Sequence, residues 1–378
     1  MTDQRIGVEV DGKGFVQARR LDNNRSSTKG RVELTGLDAD LIRLFERWLV
    51  LRERQWREDE IRAFGSLLHR YLFEGHVWSW IESAIDALAA GDRIRLELIF
   101  PAKPPYSRLA AMPWEYLYQP AREGRNGCFL ASDARIVLSR YIPLEAGEGS
   151  FAAAEDLRML IVISQPDDRR LGPVMYDDVL AAIEHWAQES GVAVSVVHNP
   201  TAAQLQKAVA PPGGPGPHLV HFMGHGEFDP DYGEARLALV ADDGGTDWVP
   251  DQRLADIFSR ADVAPRAVVL HSCEGGRADF SVSFAGLAPQ LARSGVQCVV
   301  AMQYAVTNET AIAFSTSLYK HLTAGRDIDI AVQESRWEIS GLNDNRDPRM
   351  LGIPVLYTQS RGGLFTADRS QSMDGDLK

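Results

Sequence analysis

The sequence has few cysteines, no long apolar run and no excess of basic residues. Its 378 residues include three cysteines, a number that does not fit a disulfide framework and suits a reducing compartment. No run of about 18 apolar residues is present, so a membrane-spanning helix is not expected. The formal net charge of −12 argues against nucleic acid as a direct partner, because phosphate binding needs Lys and Arg in excess. Residues 1–5 do not begin a secretory signal, and these absences together predict a cytoplasmic protein.

Common cofactor-binding and esterase motifs are also missing. The sequence contains neither the Gly-x-x-x-x-Gly-Lys-Ser/Thr phosphate loop nor the Gly-x-Ser-x-Gly turn. The Gly213-Gly214-Pro215-Gly216 run precedes a predicted strand instead of joining a strand to a helix, so it is interpreted as a loop. No cofactor is therefore predicted.

Residues 1–150 are predicted to form an amino-terminal α+β region. Its predicted helices span 38–51, with Asp38 as N-cap, 61–71 and 77–90. Its predicted strands are a short hairpin around Asp11-Gly12, followed by 93–100 and 135–141. In 93–100, charged Arg93, Arg95 and Glu97 alternate with apolar residues, which predicts a strand with one solvent-facing side.

A Gly/Glu/Ala-rich linker at 145–155 is expected to separate this region from a second one, 151–378, which ends in a polar tail from about residue 362. Apolar strands and amphipathic helices alternate after the linker. The predicted strands are 157–164, 192–198, 218–223, 267–270, 297–302 and 353–357. Repeated strand–helix units predict an α/β fold, with a mostly parallel sheet and helices on both faces.

Two of these strands end in glycine-flanked turns that carry reactive side chains. One strand leads into Gly224-His225-Gly226, and the other leads into Cys273, which Gly275 and Gly276 follow closely. Active sites of such sheets lie at the carboxyl ends of the strands, so His225 and Cys273 lie side by side if their strands are neighbours. An imidazole promotes ionisation of a thiol, which is a weak nucleophile until it ionises. No carboxylate is clearly placed as a third member, so the sequence predicts a dyad.

Structural and metal-binding interpretations compete with this one. A single Cys or His at a strand end is usually a buried structural residue, and the pairing of two such turns is what favours catalysis. Nearby metal-ligating residues are His218, His221, His225, His271 and Cys273. His218 and His221 would point to opposite faces of a strand, and no ligand spacing is recognisable, so no metal site is predicted. His221 is expected to be a core residue.

The segments HLVHFMGHGEF (218–228) and AVVLHSCEGG (267–276) resemble the CHAT family, a branch of the caspase-like peptidases that also resembles separases and metacaspases. Cys273 follows His225 by 48 residues, close to the caspase spacing of about 50. The resemblance runs over roughly 60–360. Its further segments are 93–100, 109–120, 129–144, 285–306 and 317–336.

This resemblance implies a caspase-like α/β fold and peptide hydrolysis. It implies that His225 is the base, that Cys273 is the nucleophile, and that the backbone N–H groups of Gly226 and Cys273 form the oxyanion hole. It also implies that the position two residues before the nucleophile, here His271, helps to line the primary specificity pocket. Metacaspases have an acid there and caspases a glutamine, so the preferred residue before the cut stays open.

Four further residues are candidates for the pocket. Asp167 and Asp168 follow the strand at 157–164 and are either acidic pocket residues or a solvated loop pair, which is the simpler interpretation. Gln303 and Tyr304 end the strand at 297–302 and form either a pocket wall or ordinary packing.

The resemblance implies a cysteine endopeptidase of a bacterial defence or programmed-death system, including antiviral defence. It implies protein substrates and activation by a sensor or regulator protein, or by cleavage. Two alternatives stay open: a catalytically silent scaffold that binds a partner protein, and a nonproteolytic thiol enzyme such as an acyltransferase.

Overall fold

A computed structural model of the chain describes residues 3–23, 25–32, 36–49, 56–73, 76–101, 107–122, 124–143, 157–229, 234–261, 264–272, 283–304, 306–341 and 347–360. The strands of these segments are β1 (Asp3–Val10), β2 (Phe15–Arg20), β3 (Gly30–Arg31), β4 (Arg93–Ile99), β5 (Tyr118–Gln119), β6 (Cys128–Phe129), β7 (Ile136–Tyr141), β8 (Arg158–Ile163), β9 (Ala193–His198), β10 (Leu219–Gly224), β11 (Gly226–Asp229), β12 (Glu234–Val240), β13 (Thr246–Pro250), β14 (Ala267–Ser272), β15 (Cys298–Met302) and β16 (Pro354–Thr358). The helices are α1 (Gly36–Leu49), α2 (Glu58–Leu72), α3 (Val77–Asp86), α4 (Asp177–Ser190), α5 (Ala202–Val209), α6 (Asp251–Ser259), α7 (Ser283–Arg293), α8 (Asn308–Thr323) and α9 (Ile328–Gly341).

Eleven of the described strands form one sheet in the order β3-β2-β1-β4-β7-β16-β15-β14-β10-β8-β9. Neighbouring strands are parallel from β1 to β16 and again from β15 to β9, whereas β16 and β15 are antiparallel. The predicted α/β fold with a mostly parallel sheet is therefore confirmed. The two halves of the sheet run in opposite directions, so their carboxyl ends lie at opposite edges.

The sheet is continuous across the proposed boundary near residue 150, because β16 pairs with β7 on one side and β15 on the other. The linker at 145–155 lies outside the described residues. The division into two regions stays a prediction.

Successive residues of the central strands face two different helical layers. Ile161 and Met223 pack in one apolar cluster with residues of α4, α8 and α9. Val162 and Phe222 pack in the other cluster with residues of α5, α6 and α7. Full burial of such a side chain contributes about 1.5–3 kcal/mol, and coverage on both faces explains why these strands are almost continuously apolar.

The prediction that β4 has a solvent-facing side is wrong. Arg95 and Glu97 are 5% and 2% exposed. The Arg95 guanidinium binds the carboxylates of Asp3, Asp327 and Asp329, and Glu97 pairs with an arginine of β1. The charges of β4 are thus paired inside the fold, as buried charges must be.

Some helix boundaries also differ from the predicted ones. Helix α1 begins at Gly36, so Asp38 lies inside the helix and is not its N-cap. Helix α3 ends at Asp86, four residues before the predicted end. Thr201 caps α5, and its hydroxyl accepts a hydrogen bond from the Gln204 N–H.

Candidate active site

The strands that lead to His225 and Cys273 are neighbours. Strands β10 and β14 are parallel, and Gly224 and Ser272, the last residue of each, are register partners. His225 directly follows β10 in the chain. Cys273 directly follows Ser272 in the sequence, and it lies outside the described residues together with 274–282. The catalytic pair therefore stays a prediction.

Close packing requires a glycine at the end of β10. A Cβ atom at Gly224 would lie 2.9 Å from the Phe222 ring and 3.0 Å from the carbonyl oxygen of Ser164. The backbone that directly follows β8 thus lies against Gly224, the residue before His225.

The His225 side chain is buried and held by a backbone carbonyl. It is 2% exposed, and its Nε2 lies 3.2 Å from the carbonyl oxygen of Gly172. In the neutral ring, an Nε2–H that donates to this carbonyl leaves Nδ1 as the nitrogen that can take up a proton. Gly172 has a φ of 62°, a left-handed conformation that favours glycine. The Gly172 carbonyl could not be singled out from the sequence, because every residue has a backbone carbonyl oxygen.

Strand β11 begins directly after His225 and sets the direction of the Gly226 N–H group. Gly226 is the register partner of Leu237 in the antiparallel pair of β11 and β12. The His225 carbonyl accepts a hydrogen bond from Ala238 N–H at 3.0 Å. Hydrogen-bonded and non-hydrogen-bonded pairs alternate in such a ladder, so the Gly226 N–H points away from β12.

Two histidines lie inside the protein on β10 and β14. His221 and His271 are 0% and 1% exposed, and their ring centroids are 5.7 Å apart. His221 Nδ1 lies 2.5 Å from the Tyr319 hydroxyl. Within the described part of the chain, neither ring nitrogen of His271 has a hydrogen-bond partner, nor has His221 Nε2. Burial lowers the pKa of His271 to about 4, and burial followed by the neighbouring His271 lowers the pKa of His221 well below its usual value, so both rings are neutral at pH 7.

The two loop aspartates differ in their contacts. The Asp168 carboxylate pairs with Arg170 at 2.6 Å and accepts a hydrogen bond from the Thr246 hydroxyl at 3.3 Å. Hydrogen bonds from Arg170 hold the pKa of Asp168 well below its usual value. The Asp167 side chain is exposed, and its backbone N–H donates to the Gly244 carbonyl. Whether Asp167 and Asp168 line a substrate pocket stays a prediction.

Gln303 and Tyr304 follow β15 at the same edge of the sheet as His225, and both are buried. Gln303 Nε2 donates to the Glu115 carboxylate at 2.9 Å and to the Gly352 carbonyl at 2.7 Å. The Tyr304 ring lies 6.5 Å from that of Tyr116. Both side chains thus have partners inside the protein, and their part in a pocket wall stays a prediction.

The two described cysteines are buried or half-buried thiols. Cys298 is buried in β15, and burial raises its pKa to about 12. Cys128 begins β6, and burial also raises its pKa. A raised pKa disfavours the thiolate, so neither cysteine has the environment of a nucleophile. The described residues contain no cluster of three or more His, Cys, Asp or Glu side chains that could hold a metal ion.

The strand order and the glycine-flanked strand ends define a caspase-like α/β protein. The chain belongs to the CHAT domain family, whose model matches residues 66–353. The resemblance found in the sequence is thus confirmed. A search of curated protein sequences finds no significant match.

Solved structures with a similar fold include the separase of Saccharomyces cerevisiae in a separase–securin complex, with a TM-score of 0.51 and 11% identity. The match covers 95% of this chain and 30% of the separase chain, so this chain spans less than a third of that protein. Gingipain R, an Arg-specific cysteine proteinase, matches with a TM-score of 0.46 and 9% identity over 87% of this chain and 76% of the gingipain chain. None of the helices in the described segments is long and apolar enough to span a bilayer.

Proposed function

We propose that the chain is a cysteine endopeptidase whose catalytic pair is His225 and Cys273. The observation that carries the proposal is the register pairing of Gly224 with Ser272 on adjacent parallel strands. His225 and Cys273 are the residues that follow these two strands in the sequence. Neighbouring strands are about 4.8 Å apart and consecutive Cα atoms about 3.8 Å apart, so we expect the Cys273 thiol to lie within reach of the imidazole.

The contact with Gly172 gives the imidazole a defined role in catalysis. With Nε2–H bound to the carbonyl oxygen, Nδ1 accepts the proton of the Cys273 thiol and the thiolate attacks the substrate carbonyl. Nδ1–H then donates its proton to the leaving amine, and a water molecule hydrolyses the acyl-enzyme. The Gly172 carbonyl also stabilises the imidazolium form, a task that a carboxylate performs in other proteases.

The oxyanion of the tetrahedral intermediate would bind to the N–H groups of Gly226 and Cys273. The direction of the Gly226 N–H, away from β12, supports this role, because an oxyanion donor must not be used by the sheet. His271 and the loop aspartates Asp167 and Asp168 are proposed to contribute to substrate selection, with Gln303 and Tyr304 at the pocket wall.

The family resemblance supports a biological role as a bacterial defence or programmed-death protease that a partner protein or a cleavage activates. The separase with a similar fold was solved together with securin, and this supports control by a protein partner. Activity of the purified chain on many cellular proteins without any activator would contradict this part of the proposal.

The test is labelling of the purified chain with a thiol-directed peptidyl probe. With cell lysate added as a source of activator, we expect labelling of the wild type, its loss in Cys273→Ala and a strong reduction in His225→Ala. Cys128→Ala is the matched control, because it removes a half-buried thiol and should leave labelling unchanged. Absence of labelling in the wild type, even with cell lysate as a source of activator, would favour the silent scaffold.

A further inference from the structure

Two apolar residues are exposed in the loop whose backbone contacts the imidazole of His225. This loop spans residues 164–176, between the end of β8 and the start of α4. Pro173 and Met175 are exposed, whereas Val174 between them is buried. The change from exposed to buried and back to exposed places Pro173 and Met175 on the outer side of the loop.

Met175 has one of the most exposed large apolar side chains in the described part of the chain. It is 49% exposed, and the other large apolar side chain that is more than a third exposed in these segments is Phe15 of β2, at 37%. Single apolar residues are common on protein surfaces, so the place of Met175 in the fold decides how its exposure is interpreted.

The loop is anchored on both sides of Met175. Before it, the Gly172 carbonyl oxygen lies 3.2 Å from His225 Nε2, and Val174 packs in the apolar cluster that includes residues of α4. Directly after it, the Tyr176 ring contacts the ring of His198 edge to face, with 5.8 Å between the centroids. His198 is the last residue of β9. These contacts place Met175 between the imidazole and the end of β9.

The strand order sets the order of groups along this edge of the sheet. Strands β14, β10, β8 and β9 are adjacent in that order and parallel. Cys273 follows β14 in the sequence and His225 follows β10, whereas the loop with Met175 runs from the end of β8 to the end of β9. The imidazole is therefore expected between the proposed nucleophile and Met175. One to two strand spacings, about 5–10 Å, separate Met175 from the imidazole.

This order relates the loop to one part of a peptide substrate. In the proposed reaction the imidazole protonates the leaving amine, so the part of the substrate that follows the cut must lie on the imidazole side of the thiol. An extended peptide spans about 3.3 Å per residue. The second and third residues after the cut are thus the ones that reach Met175.

We propose that Met175 and Pro173 form a subsite for an apolar side chain of the substrate, two or three residues after the cut. This inference rests on the proposed protease function and adds a preference to it. The methionine side chain is flexible and adapts to apolar partners of different shapes. The subsite therefore selects aliphatic or aromatic character and not one particular residue.

The test is to map cut sites by mass spectrometry in cell lysate, which supplies both the activator and the protein substrates. Cuts that also appear with Cys273→Ala are subtracted as background. We expect apolar residues to be enriched about tenfold at the second or third position after the cut. This enrichment should be lost in Met175→Ser and kept in Met175→Leu. The matched control is Phe15→Ser, because six strands lie between β2 and β10, and it should keep the wild-type enrichment.

The thiol-directed peptidyl probe separates failure of the subsite from failure of the protease. The probe has no residues after the cut, so its labelling reports the thiol and the imidazole. Comparing equal amounts of probe-reactive protein keeps an unfolded variant from counting as a result. Cut sites without apolar enrichment in the wild type, or equal enrichment in Met175→Ser, would overturn the subsite and leave the protease intact. A wild type that neither labels nor cuts would overturn the proposed function and the subsite with it.

Discussion

The carbonyl oxygen of Gly172 and Nε2 of His225 are 3.2 Å apart, although the two residues are 53 positions apart in the chain. The loop between β8 and α4 therefore orients the imidazole that follows β10. Gly172 has a left-handed φ of 62° and its carbonyl contacts the ring, which makes the glycine a positioning residue for the proposed chemistry.

Gly172→Ala should lower the rate of labelling by a peptidyl probe at least tenfold, because a displaced carbonyl no longer orients the imidazole. Gly191→Ala is the matched control, since Gly191 ends α4 with a φ of 68°. Each variant should lose about 1–2 kcal/mol of stability, the strain of a left-handed non-glycine residue. Equal labelling rates in the two variants would contradict the positioning role.

The buried histidines should make stability depend on pH. The pKa of His271 is lowered to about 4 and that of His69 to about 3, both by burial. Between those values and the ordinary pKa of 6.5, the unfolded chain binds more protons than the folded one. The free energy of unfolding is therefore highest above pH 6.5. Below pH 6.5 it falls by about 1.4 kcal/mol per pH unit for each such histidine.

His271→Leu should reduce this pH slope by about one proton, as measured by urea unfolding at pH 7, 6 and 5. It also removes two buried nitrogens that have no partner among the described residues, so stability at pH 7 should be kept or rise. An unchanged slope in His271→Leu would show that this imidazole is protonated in the folded protein.

The buried pair of Arg140 and Glu115 should be strongly coupled. Both side chains are at most 2% exposed, Arg140 Nε donates to the Glu115 carboxylate at 3.1 Å, and Gln303 donates to it as well. Arg140→Met leaves a buried carboxylate without its cation and should lose about 3–5 kcal/mol in denaturant unfolding. The double variant Arg140→Met, Glu115→Met should recover much of this loss, whereas additive losses would mean that the pair is not coupled.

The strands around the site could be predicted from the sequence because they are apolar on both faces. The predicted span 267–270 became β14 (Ala267–Ser272), and 218–223 became β10 (Leu219–Gly224). In β4 the alternation of charged and apolar residues predicted a solvent-facing side, and this prediction was wrong. The partners of Arg95 include Asp327 and Asp329, more than 230 positions away. A local sequence pattern cannot predict such an ion pair.

The candidate site could also be predicted only in part. His225 could be singled out because a reactive side chain and flanking glycines coincide at a strand end, and the same argument applies to Cys273. The Gly172 carbonyl could not be singled out in this way. Every residue has such an oxygen, and only the folded loop brings this one to the imidazole.

The position of β16 has a consequence for how the protein forms. This strand follows all other described strands in the chain, yet it lies between β7 and β15. Until it is synthesised, each half of the sheet presents an edge strand with unpaired N–H and C=O groups, the kind of edge that promotes aggregation. A chain stopped before Pro354 would therefore consist of two unjoined sheets, and completion of the fold must wait for the last strand, late in synthesis and slow because its contacts are distant.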